Sequence, residues 1–256
     1  MMRNFFIFSF LLWSVAAAAQ SPRYFYQGDG QLAVQGGEKN LEGLSPRLVA
    51  LLDYLQDQLT RGKGEITVHS GYRSPEYNER LRRQGKLAGQ ASLHMEGMAA
   101  DVVLSGADPK KLWEFVRSLD CCGAGYYAGR MVHVDTGPKR WWDQKTSKVF
   151  TDISAHNKQV YLTTEYDIYR PGEELKFRFV RMTEFPFGIR PDLGIGKLKT
   201  KEKCLLIQNR KAARDFSLSL PKGLPKDKPL QIRAEFCSKP HEQMPDFVLS
   251  NPFEIR

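Results

Sequence analysis

The sequence has little cysteine and lacks any long apolar run beyond its first residues. Only four of the 256 residues are cysteine, and no CxxC or Cys–His spacing indicates a thiolate metal site. No segment after the N-terminus is a transmembrane candidate. Internal repeats, low-complexity tracts and runs of five or more basic residues are also absent.

The composition is that of an ordinary globular protein. Charged residues make up 26% of the chain and apolar residues 41%, with 21 Gly and 14 Pro. These values exclude a collagen-like, coiled-coil or wholly disordered chain, and the length suits one large or two small domains. The net charge of +9 points to an anionic partner such as nucleic acid, a membrane face or cell wall. A solvated, soluble surface explains the charge equally well, because the basic residues are spread through the chain.

Residues 1–19 have the pattern of a secretory signal. Arg3 precedes an apolar run over 5–15, and small residues 17–19 (AAA) supply a cleavage site. The run is shorter than the roughly 20 residues that span a bilayer, although a retained membrane anchor is the alternative. We therefore predict an exported, soluble protein without a transmembrane anchor after cleavage. Export argues against nucleic acid as a partner.

In an oxidising compartment the four cysteines can pair. Cys204 and Cys237 lie in strand-like runs and could form a bridge within one domain. Cys121 and Cys122 are adjacent, so a ring closed between them would be strained. Their pairing is left open.

The chain divides into three segments that differ in composition and predicted secondary structure. A polar, Gly-rich segment, predicted to be extended, covers 20–43, and short strands alternate with capped helices over 44–150, which indicates an α+β unit. The helices are expected to start at Ser45, Ser74 and Asp108, each followed by proline. Residues 151–256 are rich in short, partly alternating strands with Gly, Pro and Asn between them, the pattern of an immunoglobulin-like β-sandwich.

The stretch 92–101 (SLHMEGMAAD) and the later stretch 132–137 (VHVDTG) carry the chemistry. Two imidazoles and a carboxylate are the ligand types of a catalytic zinc. On one helix His94 and Asp101 would lie roughly 10 Å apart along the axis, whereas zinc ligands lie about 2 Å from the ion. The chain between them must therefore bend, and Gly97 permits this.

Alternation of apolar and polar residues along 132–135 (VHVD) predicts a strand at the base of the metal site. His133 and Asp135 would share one face, while Val132 and Val134 turn to the core. The remaining histidines are interpreted as surface or core residues: His69, His156 and His241.

The stretch 92–101 fits SxHxxGxAxD in full and resembles the signature of the zinc D-alanyl-D-alanine peptidases. These are cell-wall metallopeptidases whose fold also occurs in hedgehog signalling domains. Upstream, 70–75 (SGYRSP) resembles the substrate-side motif of that group. Downstream, 125–127 (GYY) and 132–142, with Arg140 and two tryptophans, resemble the branch of periplasmic murein endopeptidases. The likeness covers roughly 44–142.

The resemblance implies that His94, Asp101 and His133 are the zinc ligands. It also implies that Arg73 holds a carboxylate or carbonyl of the stem peptide, and that Ser92 assists with substrate hydrogen bonding. The alternative for Arg73 is a salt bridge that ties its turn to the following helix.

The sequence departs from the wider family at the general base. The position three residues before the last zinc-binding histidine is Arg130, and the next is Met131. Neither side chain can accept a proton from water. Asp135 is the predicted base, with orientation of His133 as its alternative role, and Glu96 is a weaker candidate.

Together these features predict an exported, periplasmic, zinc-dependent peptidoglycan hydrolase with peptidoglycan peptides as its partners. D,D-endopeptidase cleavage is preferred over carboxypeptidase or L,D cleavage. The alternative is a catalytically weak or dead zinc module that binds wall peptides or a protein partner. A third hypothesis makes the sandwich the functional half, although residues 151–256 hold no catalytic constellation.

Overall fold

A computed structural model of the chain describes residues 21–129, 131–149, 151 and 153–256. The predicted signal (1–19) and the base position at Arg130 therefore lie outside the described residues. Below, residues 21–149 are called the N-terminal region and 153–256 the C-terminal region. The predicted mixed α+β class is confirmed.

The N-terminal region is built from three helices and one five-stranded sheet. The elements are α1 (Pro46–Thr60), β1 (Ile66–Ser70), α2 (Pro75–Arg83), β2 (Ala99–Leu104), α3 (Pro109–Ser118), β3 (Gly123–Tyr126), β4 (Val132–Asp135) and β5 (Arg140–Asp143). The sheet order is β1-β2-β4-β3-β5, and only the β3–β5 pair is parallel. Leucines of α1 and valines of β2 and β4 form its core.

The three predicted helix starts are confirmed, since each cap residue accepts a hydrogen bond from the first turn. The Ser45 and Ser74 hydroxyls each accept from the backbone amide three residues on, and one Asp108 oxygen accepts from the amides two and three residues on. The 20–43 segment contains a 3₁₀ helix, Glu38–Leu41, and a single bridge from Val34 to Ile66.

The C-terminal region consists of short strands in three sheets. The strands are β6 (Tyr161–Thr164), β7 (Ile168–Tyr169), β8 (Glu174–Val180), β9 (Phe187–Ile189), β10 (Leu205–Ile207), β11 (Phe216–Ser219), β12 (Arg233–Ser238), β13 (Phe247–Leu249) and β14 (Glu254–Ile255). Their orders are β10-β9-β12-β13, β11-β8-β6 and β14-β7. Buried aromatic rings, among them Phe179 and Phe187 at 5.6 Å between centroids, fill the space between them.

Both cysteine pairs are disulfide-bonded. The Cys204–Cys237 bridge, which the sequence left as one possibility, is formed and joins the start of β10 to β12, across the strand β9 that separates them. The neighbouring Cys121 and Cys122 also form a disulfide, between α3 and β3, despite the strain expected of such a ring.

The two regions meet beside the 92–101 stretch. Leu93, Met98 and Ala99 pack with Tyr161 and Val180 in one buried cluster. No helix within the described ranges has the length and apolar character needed to cross a membrane.

Polar contacts reinforce this junction. The buried Glu96 carboxylate accepts from the Arg214 guanidinium at 2.7 Å, and Arg178 donates to the Glu96 carbonyl oxygen at 3.3 Å. Arg47 of α1 pairs with Asp167. The C-terminal region is therefore bonded directly to the stretch that carries the candidate chemistry.

Candidate metal centre

A short 3₁₀ helix, Leu93–Glu96, delivers His94 to the site. Ser92 caps it, with its hydroxyl 3.3 Å from the His94 amide nitrogen. Gly97 ends it in the left-handed conformation, φ +65°, and a side chain there would collide with the Gly43 carbonyl oxygen. The chain then reverses into β2, so the bend expected at Gly97 is confirmed and Asp101 comes back beside His94.

Three donor groups converge where β2 and β4 pair. Asp101 and His133 are opposite each other in the register. His133 Nδ1 lies 3.0 Å from Asp101 Oδ1 and 3.3 Å from His94 Nε2, and His94 Nε2 lies 3.6 Å from Asp101 Oδ2. All three side chains are buried, and their ligand atoms lie within 4.8 Å of one another. The structure thus brings together the three residues that the sequence singled out.

Hydrogen bonds on the far side of each ring fix which nitrogen faces the centre. His94 Nδ1 lies 2.8 Å from the Gly71 carbonyl oxygen and must donate to it, which leaves Nε2 unprotonated. His133 Nε2 lies 2.9 Å from Asp135 Oδ2, so the neutral imidazole that donates there carries an unprotonated Nδ1 on the side of the centre. This outer support is typical of metal-binding histidines. Two imidazole nitrogens and one carboxylate oxygen fit a zinc ion with a further position open to the cleft.

Asp135 is completely buried behind His133. Beyond the His133 contact, it accepts from the Arg140 guanidinium at 2.6 and 3.0 Å and from the Gly137 amide at 2.8 Å. Space for the carboxylate depends on Gly123 of β3, because a Cβ there would collide with it. Val132 and Val134 face the core, as the alternation predicted.

The electrostatics of the cluster favour a bound cation. Burial opposes ionisation of both aspartates, yet the adjacent imidazoles of His133 and His94 hold the pKa of Asp101 well below its usual range. Arg140 and His133 do the same to the pKa of Asp135. Burial lowers the pKa of His94, and it opposes protonation of His133, whose pKa is nevertheless raised by Asp101 and Asp135. Ionised carboxylates beside an unprotonated His94 are what a metal ion requires.

Arg73 and Ser92 both line the cleft at the centre. Arg73 Nη2 donates to Asp101 Oδ2 at 2.9 Å, and its Nε donates to the Ser70 hydroxyl at 2.8 Å. The ion pair of Arg73 is therefore with a candidate ligand rather than with the helix that follows it.

The cleft, about 370 Å³ in volume, includes residues that sequence reasoning missed. Tyr127 and Trp142 come from motifs already noted for their resemblance, and the Trp142 ring lies 5.0 Å from that of His133. Burial raises the pKa of Tyr127 to about 12, so its phenol stays protonated. Gln159 and Arg181 come from the C-terminal region, where no sequence signal marked them. Glu96, the weaker base candidate, lies outside this cleft and faces Arg214.

Comparison with known proteins shows that the N-terminal region is similar to peptidoglycan endopeptidases. Residues 37–142 match a peptidase family model described as "Peptidoglycan L,D-endopeptidase MepK". The chain is 36% identical over 100 residues to "Probable peptidoglycan L,D-endopeptidase MepK" of Haemophilus influenzae, covering 39% of this chain and 54% of that protein. It is 33% identical over 103 residues to "Peptidoglycan L,D-endopeptidase MepK" of Escherichia coli strain K12, covering 40% and 56%.

These matches have a limited span. The chain covers about half the length of the curated relatives it matches. No solved structure matches it. The resemblance to the murein endopeptidase branch is confirmed for the N-terminal region, and the match to the family model ends at residue 142.

Proposed function

We propose that the chain is a zinc-dependent peptidoglycan endopeptidase, because residues 37–142 match a peptidase family model. The observation that carries the proposal is the convergence of His94, Asp101 and His133 in a cleft, each imidazole presenting an unprotonated nitrogen. The exported, periplasmic location predicted from residues 1–19 agrees with a cell-wall substrate.

His94, Asp101 and His133 would hold the zinc ion. When bound, zinc supplies a Lewis acid that polarises the scissile carbonyl and lowers the pKa of water to about 7. Arg73, anchored by Asp101 and Ser70, directs its remaining N–H groups to a carbonyl or carboxylate of the peptide. The Tyr127 phenol is a second donor in the cleft.

We assign to Asp135 the orientation of His133, the second of the two roles considered for it. The contacts that support this role are those to His133, Arg140 and Gly137, which engage both carboxylate oxygens and leave them turned away from the cleft. The base role stays a prediction.

We propose that the bond cleaved joins an L-centre to a D-centre. The relatives are named L,D-endopeptidases, and no contact in the cleft favours the D,D cleavage preferred from the sequence. Carboxypeptidase activity is the remaining alternative.

The test is hydrolysis of purified crosslinked muropeptides. One set should contain L,D crosslinks and the other D,D crosslinks, each incubated with and without a chelator. We expect L,D crosslinks to be cleaved, the chelator to abolish cleavage and added zinc to restore it. Cleavage of D,D crosslinks alone would overturn only the choice of bond. Absence of any chelator-sensitive product would overturn the enzyme.

One observation favours a wall-binding module instead. Asp101 is the only carboxylate among the described residues that line the cleft, and the usual base position holds Arg130. In that case the wild-type chain would bind wall peptides with zinc present and release no product.

We further propose the division expected from the sequence: a signal peptide at 1–19, an extended segment at 20–43, the peptidase domain at 44–150 and an accessory domain at 151–256. The three packed sheets and their aromatic core support an immunoglobulin-like sandwich for the last of these.

A further inference from the structure

Arg181 brings a charged side chain from the C-terminal region into the cleft that contains the metal centre. It follows directly after β8 and adopts the left-handed backbone conformation, φ +62°. Its neighbour in the cleft wall is Gln159, which precedes β6. Both residues lie beyond the segment that matches the peptidase family.

The Arg181 guanidinium is poorly satisfied by the protein. Its one side-chain hydrogen bond among the described residues runs from Nη2 to Gln159 Oε1. Nε is buried and has no acceptor. A guanidinium has five N–H donors, and buried donors are normally paired.

The other two arginines of the cleft show the contrast. Arg73 is paired with Asp101, and Arg140 is paired with Asp135. No carboxylate within the described parts of the chain lies within 4.0 Å of Arg181. Burial and repulsion from Arg140 lower the pKa of Arg181 only to about 10, so the side chain stays charged at neutral pH.

We propose that Arg181 binds a carboxylate of the substrate, so that the C-terminal region completes the substrate-binding site. The proposal rests on the proposed function, since stem peptides carry free carboxylates near their crosslinks. The planar guanidinium can bind a carboxylate through two parallel hydrogen bonds, and Gln159 holds one edge of it in place. The carboxylate is either the terminal carboxylate of the peptide or one on a branch, and both have the same chemistry.

The first test uses the unmodified chain. Crosslinked peptides with free carboxylates are compared with peptides amidated only at the terminus or only on the branch. We expect one of the two amidations to raise KM by about 10–100-fold with kcat nearly unchanged, which identifies the source of the carboxylate. Equal KM values for all three peptides would overturn the proposal. Failure to cleave any of them would count against the proposed function instead.

The second test is Arg181→Gln, with Arg190→Gln as the matched control. Arg190 is an exposed arginine of the same region that pairs with Glu235 outside the cleft. Arg181→Gln should raise KM for the free peptide by about 10–100-fold and abolish the discrimination against the amidated one. Arg181→Lys, which keeps the charge without the planar fork, should lose less. Retained discrimination in Arg181→Gln would overturn the proposal.

Two further measurements separate binding from folding and from hydrolysis. Thermal unfolding of Arg181→Gln and of Arg181→Asn, a residue that tolerates the left-handed conformation, reports whether either variant folds. Calorimetric binding of an uncrosslinked stem peptide to the metal-free protein reports recognition without turnover. Binding weakened by amidation in wild type and insensitive to it in the folded variant is the expected result. Amidation that weakens both equally contradicts it.

Discussion

The two regions of the molecule bury different kinds of side chain. Of the buried aspartate, glutamate and histidine side chains in the described residues, six lie in the N-terminal region: Asp53, His94, Glu96, Asp101, His133 and Asp135. The C-terminal region buries one, Asp167, and that carboxylate faces Arg47 of the other region. Its own core is apolar and rich in aromatic rings.

This difference indicates that the N-terminal region carries the reactive groups, whereas the C-terminal region mainly stabilises the fold. Burying an ionised group is unfavourable unless it is paired and hydrogen-bonded, and a fold built only for stability has little reason to collect several of them. The N-terminal region gathers four titratable groups around one point. The C-terminal region packs an apolar, aromatic core and contributes Arg178 and Arg214 to the junction and Arg181 to the cleft.

Loss of a ligand should have the largest effect. His133→Ala removes one of the three candidate metal ligands. Because a bound metal stabilises the transition state by several kcal/mol, kcat/KM should fall by at least about 10³-fold. Kinetics on the L,D muropeptide and metal content measure this. His69→Ala, an exposed histidine of β1, is the control and should leave both unchanged. Activity retained in His133→Ala would refute the metal centre.

A core truncation in the C-terminal region should affect stability instead. Phe179 is fully buried among aromatic rings, so Phe179→Ala should lower the free energy of unfolding by about 3–5 kcal/mol. Urea denaturation measures it. Phe247→Ala, at an exposed position, should change it by only about 0.5 kcal/mol. If folded Phe179→Ala lost zinc as completely as His133→Ala, the separation between the regions would be wrong.

Asp135→Asn distinguishes the two roles considered for Asp135, orientation of His133 and general base. If Asp135 orients His133, zinc affinity should fall by about 10–100-fold, measured by competition with a chromogenic chelator. Asp120→Asn, at an exposed carboxylate paired with Lys139, is the control. Full zinc affinity together with lost activity would indicate the base role that the sequence analysis preferred.

The smallest effect is expected where the N-terminal segment meets the C-terminal region. Burial opposes ionisation of Glu173, yet Arg23 at 2.9 Å lowers its pKa. The unfolded chain then binds more protons, so this pair stabilises the fold above the usual glutamate pKa of about 4.3, and the contribution is lost as the pH falls below it. Glu173→Gln should therefore flatten the acid limb of the stability curve.

At neutral pH the same variant should lose under about 1 kcal/mol, because the pair is partly exposed. Denaturation between pH 3 and 7 tests it against Glu174→Gln, an exposed neighbour. An unchanged acid limb would mean that Arg23 does not stabilise the ionised carboxylate.

Local chemistry made much of the N-terminal region predictable. Proline after a capping residue fixed where α1, α2 and α3 begin, and the two-residue alternation of β4 placed His133 and Asp135 on one face. The three donors could be named because the stretches 92–101 and 132–137 resemble motifs of the zinc D-alanyl-D-alanine peptidases. No sequence pattern indicated Arg181, since its place in the cleft depends on how the C-terminal region packs against the N-terminal region.

Strand ends in the C-terminal region were also poorly predicted. The partly alternating stretch 230–236 (LQIRAEF) has the pattern of one strand, whereas β12 begins at Arg233. The Ile232 amide donates to the Ser250 hydroxyl, and Leu230 bridges Phe253, so this backbone is bonded outside the ladder of β12. The stretch 250–255 (SNPFEI) has the pattern of a closing strand, but only β14 forms, and the side chains of Ser250 and Asn251 accept from the Ile232 and Thr164 amides instead.

The Glu96 contacts limit how this protein can be engineered. A fragment ending near residue 150 would keep the Glu96 carboxylate but lose its partners Arg210 and Arg214. It would also expose Leu93 to water. That damage falls on the turn next to His94. A fusion of the peptidase region to a different domain would therefore need arginines at equivalent positions. Without them, Glu96 would have to be replaced by a neutral residue and the exposed Leu93 by a polar one.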